Sequence, residues 1–174
     1  MKILFFRHGQ THLNREQRLQ GVSNPPLDSE GKDAVIESAK KIPQGVYARI
    51  YTSPLVRAQQ TAELIESILN IPVHVDERLT ERNLGKYEGL TQNEAMDLVR
   101  QAGVDPFSAT YRPPEGGESI ADMMPRTKSF LAQLHQQGEP SIVVVHGAWT
   151  QAAAAVSNKS HQSVGTAEFY EFEK

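Results

Sequence analysis

Cysteine is absent from the chain, which removes disulfides, thiolate nucleophiles and thiolate metal sites together. A reducing, cytoplasmic setting is expected. There is no cationic excess either: 18 Lys and Arg stand against 21 Asp and Glu, a formal charge of −3, so nothing is left over for gripping nucleic acid or a membrane surface. A small anionic ligand needs only a few local cations. Long apolar runs are also missing. The first one, Ile3 to Phe6, is interrupted by Arg7 and is shorter than the core of a secretory signal, and no segment approaches the length of a membrane span. Export is not expected. Repeats, charge blocks and low-complexity segments are absent too. A length of 174 residues suits one core better than two, so a single domain over residues 1–174 is expected.

What is present alternates between two periods. "KILFF" and "SIVVV" are short continuous apolar runs of the kind that form strands buried on both faces. "ARIYTS" and "PVHVDE" read as further strands, and "TAEFYEFE" as a closing edge strand with one wet face. Between them, apolar positions recur at helical spacing over 29–42, from Pro54 through Leu69, over 92–100, over 119–136 and over 148–156. Pro125 must either kink the fourth of these helices or start its main part. Strands alternating with helices predict an α/β fold, a three-layer α/β/α sandwich with a mostly parallel central sheet and an antiparallel edge strand. In such sheets ligands bind beyond the carboxyl ends of the strands.

Three strand ends carry polar groups: Arg7, His8 and Gly9; Ser53, Pro54 and Arg57; and His146 with Gly147. Taken singly, each is ordinary surface punctuation. Taken together they bring two guanidiniums and two imidazoles into one crevice, an arrangement that is costly unless an anion is bound there. Phosphate suits it, because guanidinium forks match its oxygens and the helix starts after Pro54 and Gly147 add backbone donors.

The stretches "RHGQTHLN", "RLQG" followed by "NPPL", "SPLVRAQQTA", "LTERNLGKYEG", "GGES" and "VVVHG" resemble, in order and spacing, the histidine phosphatase superfamily, also called phosphoglycerate-mutase-like. The resemblance runs from Ile3 to about Gly147. It implies that His8 is a nucleophile forming a phosphohistidine that water then hydrolyses, with Arg7, Arg57 and His146 around the phosphoryl oxygens. It implies Glu81 as general acid and base, with Glu88 as the second-ranked carboxylate that mainly supports the local fold. Asn14 corresponds to a phosphate-binding asparagine, Gln20 and Gly21 lie on the loop passing the pocket, and Gly147 offers its N–H. No cofactor and no metal are expected. Thr11, His12 and Ser53 read as structural, and Trp149 as a packing residue.

Three positions depart from the usual pattern: Asn24 where an acid is common, Ala148 for a frequent glycine and Gln151 for a frequent arginine. The closing strand also comes early, so a tail that covers the pocket in larger members is not expected. Residues 85–117, with Tyr87, Phe107, Tyr111 and Arg112, are the expected substrate lid. Mutases carry a longer insertion there, which ranks a phosphatase acting on a small phosphorylated metabolite first. A phosphoglycerate-mutase-type transferase, a phosphohistidine protein phosphatase and a non-catalytic phospho-ligand sensor remain as rivals. A homodimer through the edge strand is left open.

Overall fold

A computed structural model describes residues 1–105 and 108–172. Five strands form one sheet: β1 (Ile3–Arg7), β2 (Arg49–Thr52), β3 (Val73–Val75), β4 (Ser141–Val145) and β5 (Phe169–Phe172), in the spatial order β3-β2-β4-β1-β5. All neighbours run parallel except β5, which pairs antiparallel with β1. Six helices accompany them: α1 (His12–Arg15), α2 (Ser29–Ala39), α3 (Val56–Leu69), α4 (Gln92–Ala102), α5 (Ile120–Gln137) and α6 (Gly147–Val156). Single 3₁₀ turns occupy Glu77–Leu79 and Gly85–Tyr87.

The alternation of the strand side chains divides the core into two layers. Leu4 and Phe6 of β1, with Ile142 and Val144 of β4, pack against Val35 of α2 and Ala58, Ala62 and Ile65 of α3. Ile3 and Phe5, with Val143 and Val145, face Phe130 and Leu134 of α5 and Trp149 and Ala153 of α6. Both faces of β1 and β4 are therefore dry, which is why their sequences are unbroken apolar runs. Phe5 is the hub of the second layer, stacked on Phe172 at 4.5 Å and meeting Trp149 edge-on at 5.5 Å between ring centroids. The Trp149 indole also donates to the Arg78 carbonyl at 2.9 Å, so it packs the helix as expected. A separate small cluster of Tyr87, Ala95 and Val99 underlies α4.

Several element boundaries differ from the sequence expectation. The helix expected over 29–42 ends at Ala39, and Ile42 is buried from the following turn rather than from the helix. The fourth expected helix runs from Ile120 to Gln137 with Pro125 inside it, so Pro125 does not start its main part, and at the sixth position it forgoes the bond its N–H would have made to the Ala121 carbonyl. The edge strand is less wet than expected, because Tyr170 and Phe172 pack on one layer and Phe169 on the other, leaving Glu171 as its exposed residue. Phe107 lies outside the described residues. Among the described residues, no helix is long and apolar enough to cross a membrane.

Candidate active site

Parallel pairing of the two central strands builds the centre of the site. Arg7 sits opposite Val145 in the register, so the next residues on each strand, His8 and His146, emerge side by side with ring centroids 5.0 Å apart. The His8 N–H donates to the Val145 carbonyl at 3.2 Å, fixing that juxtaposition. From β2, the turn at Ser53, whose hydroxyl accepts from the Leu55 N–H at 3.2 Å, leads into α3 and places Arg57 in its first turn. Asn24 accepts the Val56 N–H at 2.7 Å. The amide oxygen therefore fills the capping role open to an acid at this position.

The hydrogen bonds of His8 assign its tautomer. Its Nδ1 lies 2.8 Å from the Gly9 carbonyl, which can only accept, so Nδ1 carries the proton and Nε2 presents a lone pair. Arg57 Nε donates to that Nε2 at 3.3 Å. Burial, then the Arg57 charge and the Arg7 charge, hold the His8 pKa well below the ordinary histidine value, against the pull of the Gly9 carbonyl. The ring is thus neutral at pH 7, with one nitrogen available as a nucleophile.

Arg57 is only 1% exposed, and three of its five N–H groups are held. Nη1 donates to the Ser23 carbonyl at 2.7 Å and Nη2 to the Gly21 carbonyl at 2.8 Å. Burial lowers its pKa to about 10, opposed by the charges of Glu81 and Glu88. The loop carrying those carbonyls is held by Glu88, which accepts from the N–H groups of Val22 and Ser23, the Ser23 hydroxyl and the Leu84 N–H. Gly21 has φ of +53°, and a Cβ there would collide with the Glu88 carboxylate. All of the bonds Glu88 makes are to the loop and its neighbour, which matches the supporting role expected of it.

Arg7 reaches across to the loop before β5, where Nη1 donates to the Val164 carbonyl at 2.7 Å. Its guanidinium overlies the start of α6, with Nη2 3.9 Å from the position of a Cβ on Gly147. His146 caps the same helix start and is fully buried. Its pKa is held well below the ordinary value by burial and then by Arg57, His8, Arg7 and Arg126. Arg7 Nε and both ring nitrogens of His146 find no hydrogen-bond partner among the described residues. Buried nitrogens left without partners cost free energy, and of these Arg7 Nε belongs to a side chain that lines the cavity.

Glu81 belongs to the same place from another direction. Its Oε1 accepts from the Trp149 N–H at 3.2 Å and the Arg82 N–H at 2.8 Å, and Oε2 accepts from the Ala148 N–H at 3.3 Å. The carboxylate is seated on the first turn of α6, where the helix dipole favours negative charge. Arg7, His8, Arg57, Glu81 and Gly147 all line one cavity of about 600 Å³, together with Asn14, Gln20 and Gly21. His146 backs His8 without forming part of the wall.

Asn14 and Gln20 are partly committed within the protein. Asn14 Oδ1 accepts from the Thr11 N–H and hydroxyl at 3.1 and 3.2 Å, and Gln20 Oε1 accepts from the Thr11 hydroxyl at 3.0 Å. Thr11 is buried and caps α1, while His12 is exposed. Sequence reasoning missed several wall residues. Arg82, next to Glu81, donates Nε to the Glu118 carbonyl at 2.6 Å and Nη2 to the Tyr111 carbonyl at 2.8 Å, and burial lowers its pKa. His161 meets the Thr150 hydroxyl at 3.0 Å. Arg18, Gln92 and Ser108 complete the far wall. Arg82 was signalled by its neighbour in the motif and Gln92 opens the helix expected over 92–100, whereas Arg18, Ser108 and His161 come from loops with no periodic pattern.

The model of the histidine phosphatase superfamily, branch 1, matches residues 3–164. The chain belongs to the histidine phosphatase superfamily. A superfamily relative, a 2,3-bisphosphoglycerate-dependent phosphoglycerate mutase from Nitrobacter winogradskyi, is 32% identical over 167 residues, covering 90% of this chain and 81% of the relative. A glucosyl-3-phosphoglycerate phosphatase from Mycolicibacterium vanbaalenii is 28% identical over 163 residues, covering 88% and 72%. Among solved superfamily structures, a mycobacterial glucosyl-3-phosphoglycerate phosphatase in complex with VO3 superposes with a TM-score of 0.84 at 27% identity, covering 98% of this chain and 90% of that one. Membership makes a phosphoryl-handling enzyme the general reading of the cavity.

Proposed function

We propose that the protein is a metal-independent phosphomonoesterase that hydrolyses a small phosphorylated metabolite through a phosphohistidine on His8. The observation that carries this is the His8 tautomer, Nδ1–H bound to the Gly9 carbonyl at 2.8 Å, which leaves Nε2 unprotonated beside Arg57 Nε at 3.3 Å. In the first step Nε2 attacks phosphorus, the ester P–O bond breaks, and the leaving oxygen takes a proton from Glu81. In the second, water attacks phosphorus, Glu81 takes its proton, and the P–N bond breaks to release orthophosphate. Arg7 and Arg57 stabilise the charge on the transferring group, with the Gly147 N–H at a helix N-terminus beside them. His146 supports the same charge from behind His8. Asn14, Gln20 and Gly21 shape the phosphate end, and Gln92 and Ser108, from the expected lid, line the cavity on the side of the leaving group.

Rapid quench with a ³²P-labelled monoester tests the pathway: an acid-labile, base-stable labelled protein forms in the wild type and is absent in His8→Ala. Undiminished turnover by His8→Ala sinks the mechanism. The 32% identity to a phosphoglycerate mutase favours one second reading, transfer between positions of phosphoglycerate. Orthophosphate release without interconversion of 2- and 3-phosphoglycerate separates the two.

A further inference from the structure

A second cavity, of about 510 Å³, adjoins the first and shares Asn14, Arg18, Leu19 and Gln92 with it. It lies between the end of α1 and the start of α4. These segments are stitched together by the Leu19 N–H to the Leu90 carbonyl, the Gly89 N–H to the Leu19 carbonyl, and Arg18 Nη1 to the Gly89 carbonyl, each at 2.8 Å. The groove is therefore a built extension of the candidate site.

Its chemistry differs from that of the phosphate end. Gln17, Thr91, Gln92 and Asn93 offer uncharged donors and acceptors. The single cation, Arg18, is balanced by Glu16 at 3.2 Å and Glu94 at 3.8 Å. A second phosphate or carboxylate would surrender hydration there with no net charge to meet it. Hydroxyl groups, each both donor and acceptor, match amide side chains one for one, and Leu19 gives an apolar surface for the carbon skeleton between them.

We propose that this groove is a subsite for the uncharged, polyhydroxylated part of the leaving group, so that the substrate is a sugar or polyol phosphate. The proposal rests on the phosphatase reading above. The groove continues the first cavity past Arg18 and Gln92, so a substrate longer than a three-carbon phosphoester can extend into it.

The test compares kcat/KM for glucose 6-phosphate, phosphoglycolate and fructose 1,6-bisphosphate in the wild type, Gln17→Ala and Asn93→Ala. Both substituted residues are exposed and line only the groove, so the fold is not at risk. The expected result is that the hexose monophosphate is preferred over both the short acid and the bisphosphate. Each variant should lower the ratio of kcat/KM for glucose 6-phosphate to that for p-nitrophenyl phosphate by roughly three- to tenfold. Preference for phosphoglycolate or the bisphosphate, or an unchanged ratio in both variants, overturns the subsite. Failure of the underlying reading looks different: His8→Ala would hydrolyse every ester as fast as the wild type.

Discussion

Acidification should destabilise this protein through the two histidines at its centre. Below pH 6.5 the unfolded chain protonates both imidazoles, while the folded chain holds them neutral because burial and the charges of Arg57 and Arg7, joined at His146 by Arg126, disfavour imidazolium. Unfolding then takes up protons, so stability is lost as pH falls and is retained above the unfolded value. Each group contributes about 1.4 kcal/mol per pH unit once well below 6.5. Between pH 7 and 5.5 the two together remove up to about 2.5 kcal/mol, the limit reached when both rings stay neutral throughout in the folded state, against the roughly 5–15 kcal/mol of a typical domain. Urea unfolding at both pH values measures it, with His8→Asn, His146→Asn and the double variant as references. Each single variant should lose about half of the pH sensitivity and the double variant up to about 2.5 kcal/mol of it. Equal pH sensitivity in the wild type and the double variant would refute the claim that these rings are neutral in the folded state, and with it the assignment of Nε2 as a ready nucleophile.

Other tests address single links in the argument. Glu81→Gln should slow alkyl phosphates by roughly 10²–10⁴ but p-nitrophenyl phosphate far less, since its leaving group needs little protonation; steady-state rates on both esters decide, and equal slowing would make Glu81 structural. EDTA dialysis should leave turnover unchanged, because Arg7 and Arg57 supply the charge, and a loss restored by magnesium would overturn that. Gly31→Ala would drive a Cβ into the Gln10 backbone, just beyond His8, so calorimetry should show a loss of about 1–3 kcal/mol. Phe5→Ala, emptying the hub between Phe172 and Trp149, should cost about 3–5 kcal/mol.

The His8 end of the cavity was legible in the sequence because its residues sit at strand ends, where a change of hydrophobic period marks the boundary. "KILFF" and "SIVVV" announce β1 and β4, and the residues that follow, His8 and His146, are neighbours simply because those strands pair in parallel. Sequence alone does not state that β5 lies beside β1 rather than at another edge, since the pairing rests on contacts more than 150 residues apart along the chain, such as Ile3 with Phe172. The far end was less legible. Arg18, Gln92, Ser108 and His161 come from loops and one helix start whose positions depend on tertiary packing. The motif ranks Glu81 ahead of Glu88 in "LTERNLGKYEG", and their hydrogen bonds give the physical difference, a carboxylate on the wall of the cavity against a loop anchor.

The split of the core into two large layers and one small satellite cluster has a consequence for how the molecule can diversify. His8 and His146 hang from strands whose amides should exchange with solvent only through global unfolding. Helix α4, which packs its Ala95 and Val99 on Tyr87 with only the partly buried Leu19, Leu84, Leu90 and Tyr111 around them, should exchange through local opening at far lower free energy. Substitutions around that helix are cushioned from His8 and His146, so the chain can remodel the α4 side of the cavity while the strand-held side stays fixed.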